Sequence, residues 1–264
     1  MAVDPVASGN KCWTILWIIV AAEHQGHIWP GDIVVVHEYP QCDDLIPGIG
    51  YPDGWATPGG KGGVGIPGMI QHTWTGGFAD RANEIRRVET KLGEWLCAAD
   101  PARKPGPVLI PFGNRIMDSR PANTETASNS ESKTIIEWME ENGLNFIAAG
   151  RDSGAGQGET NVHPGEQMIN NALNWDRAKT ALDPATGWMV ISPNAGRGPK
   201  LWIMEHCTNL ITAIQNYPGH QNGGKASAFR DFIDPLRYLI IADPYHRDES
   251  RNKPTGGVRL LFRT

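Results

Sequence analysis

Three acidic positions could do chemistry together: Asp4 in Val3-Asp4-Pro5, Asp118 in Ile116-Met117-Asp118, and the pair Asp231 and Asp234 in Arg230-Asp231-Phe232-Ile233-Asp234. Each follows or closes an expected element and has apolar neighbours. A carboxylate on such a strand or helix is costly to bury unless positive charge neutralises it, and a divalent cation does so most effectively. Two or three such groups make a hard, all-oxygen site that suits Mg²⁺ or Mn²⁺ and not zinc. Two ions about 3.5–4 Å apart would generate a hydroxide and stabilise the leaving oxygen of an in-line phosphodiester displacement. Taken singly, an Asp-Pro is a turn residue more often than a ligand, and an acid before a polar loop is commonplace. Only the joint pattern carries the metal reading.

The elements that must position these acids follow from periodicity. Residues 2–5, 12–22 and 32–39 read as strands, the last rich in β-branched Ile33, Val34, Val35 and Val36, and the short connectors predict an antiparallel meander. Residues 40–77 lose all periodicity, with frequent Gly and Pro punctuated by Tyr51, Trp55 and Trp74, and read as an irregular insertion. Over 77–98, Ala82, Ile85, Val88, Leu92 and Leu96 recur at spacings of three and four, which predicts an amphipathic helix. A strand over 108–117 ends at Asp118. Ser128 and Glu131 have capping-box spacing, which predicts a helix over 128–142 stopped by Gly143. Further expectations are a strand at 145–149, a helix at 166–181, strands at 188–192 and 201–206, and helices at 207–217 and 229–242. No internal repeat is found. The order predicts an α/β fold whose mixed sheet has an antiparallel meander followed by parallel strands, flanked by helices.

At these residues the chain resembles the nuclease domain of the large terminase subunit of tailed bacteriophages, which is ribonuclease-H-like. Residues Ala2-Val3-Asp4-Pro5-Val6-Ala7-Ser8-Gly9 resemble its first strand and turn, and Arg115-Ile116-Met117-Asp118-Ser119-Arg120-Pro121-Ala122 its second acidic strand end. Asp231-Phe232-Ile233-Asp234-Pro235-Leu236-Arg237-Tyr238 is similar to the family's acid-x-x-Asp-Ala-Leu-Arg-Tyr helix, and Glu205-His206-Cys207-Thr208-Asn209-Leu210-Ile211 to the strand-to-helix junction before it. The resemblance spans residues 2–242, apart from the insertion. It implies an endonuclease that cuts concatemeric double-stranded DNA during genome packaging, with Asp4, Asp118 and Asp234 as catalytic metal ligands for two Mg²⁺ or Mn²⁺ ions. Asp231 is a neighbour that could ligate or replace Asp234. The family's alanine is Pro235 here, so Asp234 could instead sit at an N-cap with Pro235 at the first helical position, leaving Asp231 as the ligand. The same resemblance implies a portal protein, a small terminase subunit and an upstream ATPase domain as partners, the host cytoplasm as location, and a domain belonging to a longer chain. Within the same fold, a junction resolvase is an alternative; outside it, a catalytically silent DNA or portal docking module.

Composition bounds the rest. The 264 residues are 40% hydrophobic and 20% charged with a net charge of −5, which excludes wholesale disorder and a basic coat, though not a local basic groove. Arg115, Arg120, Arg197, Lys200, Lys225 and Arg230 are the basic residues expected to contact DNA phosphates, contacts that position a strand without reading sequence. Residues 1–244 read as the nuclease domain and 245–264 as a polar, arginine-containing tail of charge +3, five basic against two acidic residues. The four cysteines lack zinc or disulfide spacing, and no apolar run is long enough for a membrane span. The Gly60-Lys61-Gly62-Gly63-Val64-Gly65 run lacks the Lys and Ser or Thr of a phosphate loop, Ile66-Pro67 standing there instead. His37, His163 and His206 come without a nucleophile motif and read as structural.

Overall fold

In the computed structural model, the apolar segments pair as their β-branched content directs. Strands β1 (Ala2–Asp4), β2 (Thr14–Val20) and β3 (Ile33–Tyr39) form an antiparallel meander, with Asp4 opposite Thr14 and a register shift between Trp17 and Ile18. The structure describes residues 1–5, 13–21, 24, 26–39, 77–98, 115–123, 125–128, 131–149, 164–175, 179–182, 184–185, 189–192, 198–219 and 229–244. The expected insertion up to residue 76, the strand over 108–114, the tail from 245, Arg197 and Lys225 lie outside these, as does the side chain of Arg120.

Helix α1 (Phe78–Ala98) follows, and then β4 (Arg115–Met117), which joins β1 in parallel with Ala2 opposite Ile116. One turn of helix, α2 (Ser119–Ala122), leads to a hairpin of β5 (Glu125–Ser128) and β6 (Glu131–Thr134). Helix α3 (Ile135–Glu141) and β7 (Phe146–Ala148), parallel to β4, come next. Beyond these lie α4 (Pro164–Leu173), a second hairpin of β8 (Thr180–Leu182) and β9 (Met189–Ile191), β10 (Leu201–Ile203), α5 (Thr208–Asn216) and α6 (Arg230–Ile241). β10 pairs in parallel with β3, so the six-stranded sheet runs β10-β3-β2-β1-β4-β7. The fold is α/β with a mixed sheet, as the element order predicts.

Alternation along the strands divides the core in two. Val3, Ile15, Trp17, Val36 and Met117 face α1 and α3, meeting Ile85, Val88, Leu92, Ile135 and Met139. Ala2, Leu16, Val35, Ile116 and Leu201 face the other way, onto Ile169, Leu210, Phe232, Leu236 and Leu239 of α4, α5 and α6. The central strands are covered on both sides, which explains their near-continuous apolar sequence. No helix among the described residues is long and apolar enough to cross a membrane.

Two local readings are corrected. Ser128 does not open a helix; it closes β5, opposite Glu131. The capping box is made by Thr134 and Glu137, each side chain bonded to the other's backbone N–H, because the apolar pair one turn apart that can reach the core, Ile135 and Met139, lies downstream of Thr134. Gly143, at φ 76°, ends that helix as expected. The helix expected over 166–181 stops at Leu173, and residues 180–182 form β8.

Candidate functional site

β1 and β4 run side by side and parallel, and the Asp118 N–H donates to the Val3 carbonyl at 3.1 Å. Asp4 and Asp118 therefore end neighbouring strands at the carboxyl edge of the sheet, where α/β folds place their sites. Parity aims them alike: Ala2 and Ile116 face α4–α6, and residues two further along share that face. Helix α6 packs over β1, β2 and β4, bringing Asp231 and Asp234, three apart and hence on one side of the helix.

The result is a concentration of negative charge. The Asp4 carboxyl is pushed up to about 8, first by burial and then by the charges of Asp234, Asp118 and Asp231, while Arg230 acts in the opposite sense. Asp118 and Asp234 are buried, at 8% and 3% exposure. Tyr238, one turn after Asp234, belongs to the same cluster, since burial and then Asp234, Asp118 and Asp4 raise its phenol above its ordinary range. Tyr238 is a site residue that the acid pattern alone misses, although its spacing of four from Asp234 is a signal in the sequence.

Asp234 is held by two arginines. Arg230 Nε lies 2.8 Å from Oδ2, and Arg237 Nη1 lies 2.8 Å from Oδ1, the latter an ion pair by distance without hydrogen-bond alignment. Arg237 is buried beneath α4, which approaches so closely that a Cβ on Gly165 would overlap Arg237 Cγ and Cδ and touch Ile241. The neighbouring Glu166, also buried, accepts a hydrogen bond from the Tyr217 hydroxyl at 2.9 Å.

The N-cap alternative for Asp234 is corrected. α6 starts at Arg230 with Phe229 as its N-cap, and Pro235 sits inside the helix. Proline disfavours helical backbone at the residue before it, but burial of Phe232, Ile233, Leu236 and Leu239 outweighs that cost. Asp234 consequently projects from mid-helix.

Among the described residues, no three His, Cys, Asp or Glu side chains stand close enough together to hold an ion as they are. The four aspartates share one electrostatic field, yet both Asp234 oxygens are engaged by guanidinium groups. The donor set still fits a hard divalent cation, being all carboxylate oxygen, and the charges of the other three acids add to burial in raising the Asp4 carboxyl.

The basic candidates are distributed differently. Arg115 is two residues from Met117 and shares its face, away from α6; its Nε and Nη2 bind Glu89 of α1 at 2.9 and 2.6 Å. It forms a partly buried structural pair, and strand parity predicts the direction it takes. Arg230 lies at the site, bonded to Asp234. Lys200 is exposed just before β10, three strands from β1 and at the opposite end of the sheet from Asp4.

A separate buried polar group lies at the end of β3. Glu38, with no exposure, accepts from the Asn209 and Leu210 N–H groups at 2.8 and 2.7 Å and so holds the first turn of α5; burial pushes its carboxyl up to about 8 despite those bonds. His206 Nε2 contacts the Val36 carbonyl at 2.8 Å, and His37, packed on Trp17, is pushed down to about 3 by burial. Both histidines are core residues, as the sequence predicts. Comparison with family models, curated proteins and solved structures finds no match to this chain.

Proposed function

We propose that this chain is a ribonuclease-H-like nuclease domain of a viral large terminase, a Mg²⁺- or Mn²⁺-dependent endonuclease that cuts concatemeric double-stranded DNA during packaging. The observation that supports it best is that Asp4 and Asp118 end two adjacent parallel strands under α6, where Asp231 and Asp234 act on the same Asp4 carboxyl. The meander followed by parallel strands agrees with the resemblance in sequence.

Asp4, Asp118 and Asp234 would hold the cations, with Asp231 beside them at the first turn of α6. Two bound ions would supply an activated water and stabilisation of the charge that develops at phosphorus. Asp4 must be ionised for this role, and cation charge would offset the burial and repulsion that otherwise keep its proton on. Arg230, the basic candidate at the site, offers its guanidinium to a backbone phosphate. Partners in this reading are duplex DNA, a portal protein, a small terminase subunit and an upstream ATPase domain.

The test is nicking and linearisation of supercoiled plasmid in Mn²⁺ and in EDTA by the native chain and Asp118→Ala. Activity should require the cation and fall at least about a hundredfold in the variant, the scale expected for losing an element of transition-state charge stabilisation. Full metal-dependent cleavage by Asp118→Ala overturns the assignment. Preference for four-way junctions would move the reading to a resolvase, and inactivity in every divalent cation would leave a docking module.

A further inference from the structure

The two arginines on Asp234 are not equivalent. Arg237 is locked: its side chain is 6% exposed, and its aliphatic stem lies where Gly165 leaves room and any other residue would not. Arg230 is the first residue of α6, and its side chain is 22% exposed. Its charge is coupled to Asp234 first and also to Asp4. Both oxygens of Asp234 lie 2.8 Å from a guanidinium nitrogen, so this acid can turn an oxygen to a cation only if one of the two arginines gives way.

We propose that Arg230 is a displaceable counter-ion: in the DNA-free protein it holds one oxygen of Asp234 out of the ligand set, and a backbone phosphate draws it off so that Asp234 joins the site. This rests on the nuclease reading and adds a regulation to it, since full cation loading becomes conditional on DNA. Arg237 stays in place and keeps the Asp234 side chain oriented through the exchange. Arg230 is thus a positioning residue in the free protein and a phosphate contact in the loaded one. The spacing makes the exchange local: Arg230 is one turn before Asp234, and a change of its own rotamer moves the guanidinium from carboxylate to solvent without moving α6.

The experiment is Mn²⁺ binding by the full chain without DNA, read by the electron paramagnetic resonance of free Mn²⁺, for native, Arg230→Gln, Arg230→Lys and Asp118→Asn. Arg230→Gln should bind Mn²⁺ about tenfold more tightly than native, the loss of one charge-assisted hydrogen bond competing for Asp234. Arg230→Lys, which keeps the charge without the fork, should fall between. In Ca²⁺ the native chain should bind a short duplex more tightly than in EDTA, and Arg230→Gln should lose most of that gain. Equal or weaker Mn²⁺ binding by Arg230→Gln, with native binding intact and abolished by Asp118→Asn, overturns the counter-ion role and leaves the nuclease reading standing. Absence of Mn²⁺ binding in all four proteins overturns both. Should Arg230→Gln fail to melt cooperatively, Arg230→Lys carries the same test, and equality with native refutes the proposal.

Discussion

Replacing Glu38 by Gln should change how the stability of this protein depends on pH, and the size of the change can be worked out from the structure. Glu38 has no exposure, and its carboxyl is raised from 4.5 to about 8, chiefly by burial. Between those values the folded chain keeps a proton that the unfolded chain releases, so stability falls as pH rises through the window. Each pH unit costs about 1.4 kcal/mol for one such group, and the span from pH 5 to 8 has a ceiling of about 4 kcal/mol. Water reaching the carboxylate would reduce that figure, and so would tightening of its bonds to the Asn209 and Leu210 N–H groups. Gln cannot ionise, but its Nε2 only donates, so it can accept one of the two N–H bonds and loses the other at every pH. The variant should therefore start below native near pH 5 by the cost of that lost bond, about 1–3 kcal/mol, and gain on it progressively toward pH 8. Urea unfolding of both proteins at pH 5, 6.5 and 8, all in EDTA, measures the difference. Parallel curves across that range would refute the claim that Glu38 is folded with its proton on.

Two further perturbations test the supports around the acidic cluster. Gly165→Ala places a methyl where Arg237 Cγ and Cδ already lie; overpacking of this kind should cost about 1–3 kcal/mol, seen as a lower thermal midpoint, and an unchanged midpoint would mean that Arg237 is not confined there. Glu89→Ala leaves the partly buried Arg115 beside α1 without its forked partner and should destabilise by about 1–3 kcal/mol, measured by urea unfolding. Changing both residues to a well-packed apolar pair should recover most of that loss, whereas a Glu89→Ala effect below about 1 kcal/mol would return Arg115 to the set of free basic residues.

How much of this is legible in the sequence depends on the distance over which each feature is decided. The sheet and the aim of Asp4 and Asp118 follow from alternation within a few residues, so pattern alone places an acid at the end of an apolar strand. The same parity, applied to the basic residues, turns Arg115 away from Asp118. The helix predicted over 128–142 starts too early because two Ser/Thr-x-x-Glu patterns lie six residues apart, Ser128 to Glu131 and Thr134 to Glu137; local chemistry scores them alike. Only the core, which takes Ile135 and Met139, chooses the second. Glu38 is illegible for a different reason, since its partners Asn209 and Leu210 are 171 and 172 residues away, and no spacing rule reaches that far.

The arrangement on α6 lies between these cases, and it explains why a cluster of four acids can fold at all. Arg230, Asp234, Arg237 and Tyr238 stand at spacings of four, three and one, which gathers two cations, an acid and a phenol around one stretch of helix surface. Removing either arginine alone would leave Asp234 buried with less compensation, a cost of several kcal/mol when the partner is itself buried. The cost should be greater at Arg237, whose stem is also packed against Gly165 and Ile241, than at Arg230, which solvent already reaches. A buried acid must be compensated as the chain folds, and here positive charge from the same helix does that for Asp234. In the proposed nuclease Arg237, locked by packing, would remain when a cation enters, and Arg230, the more exposed of the two, would leave.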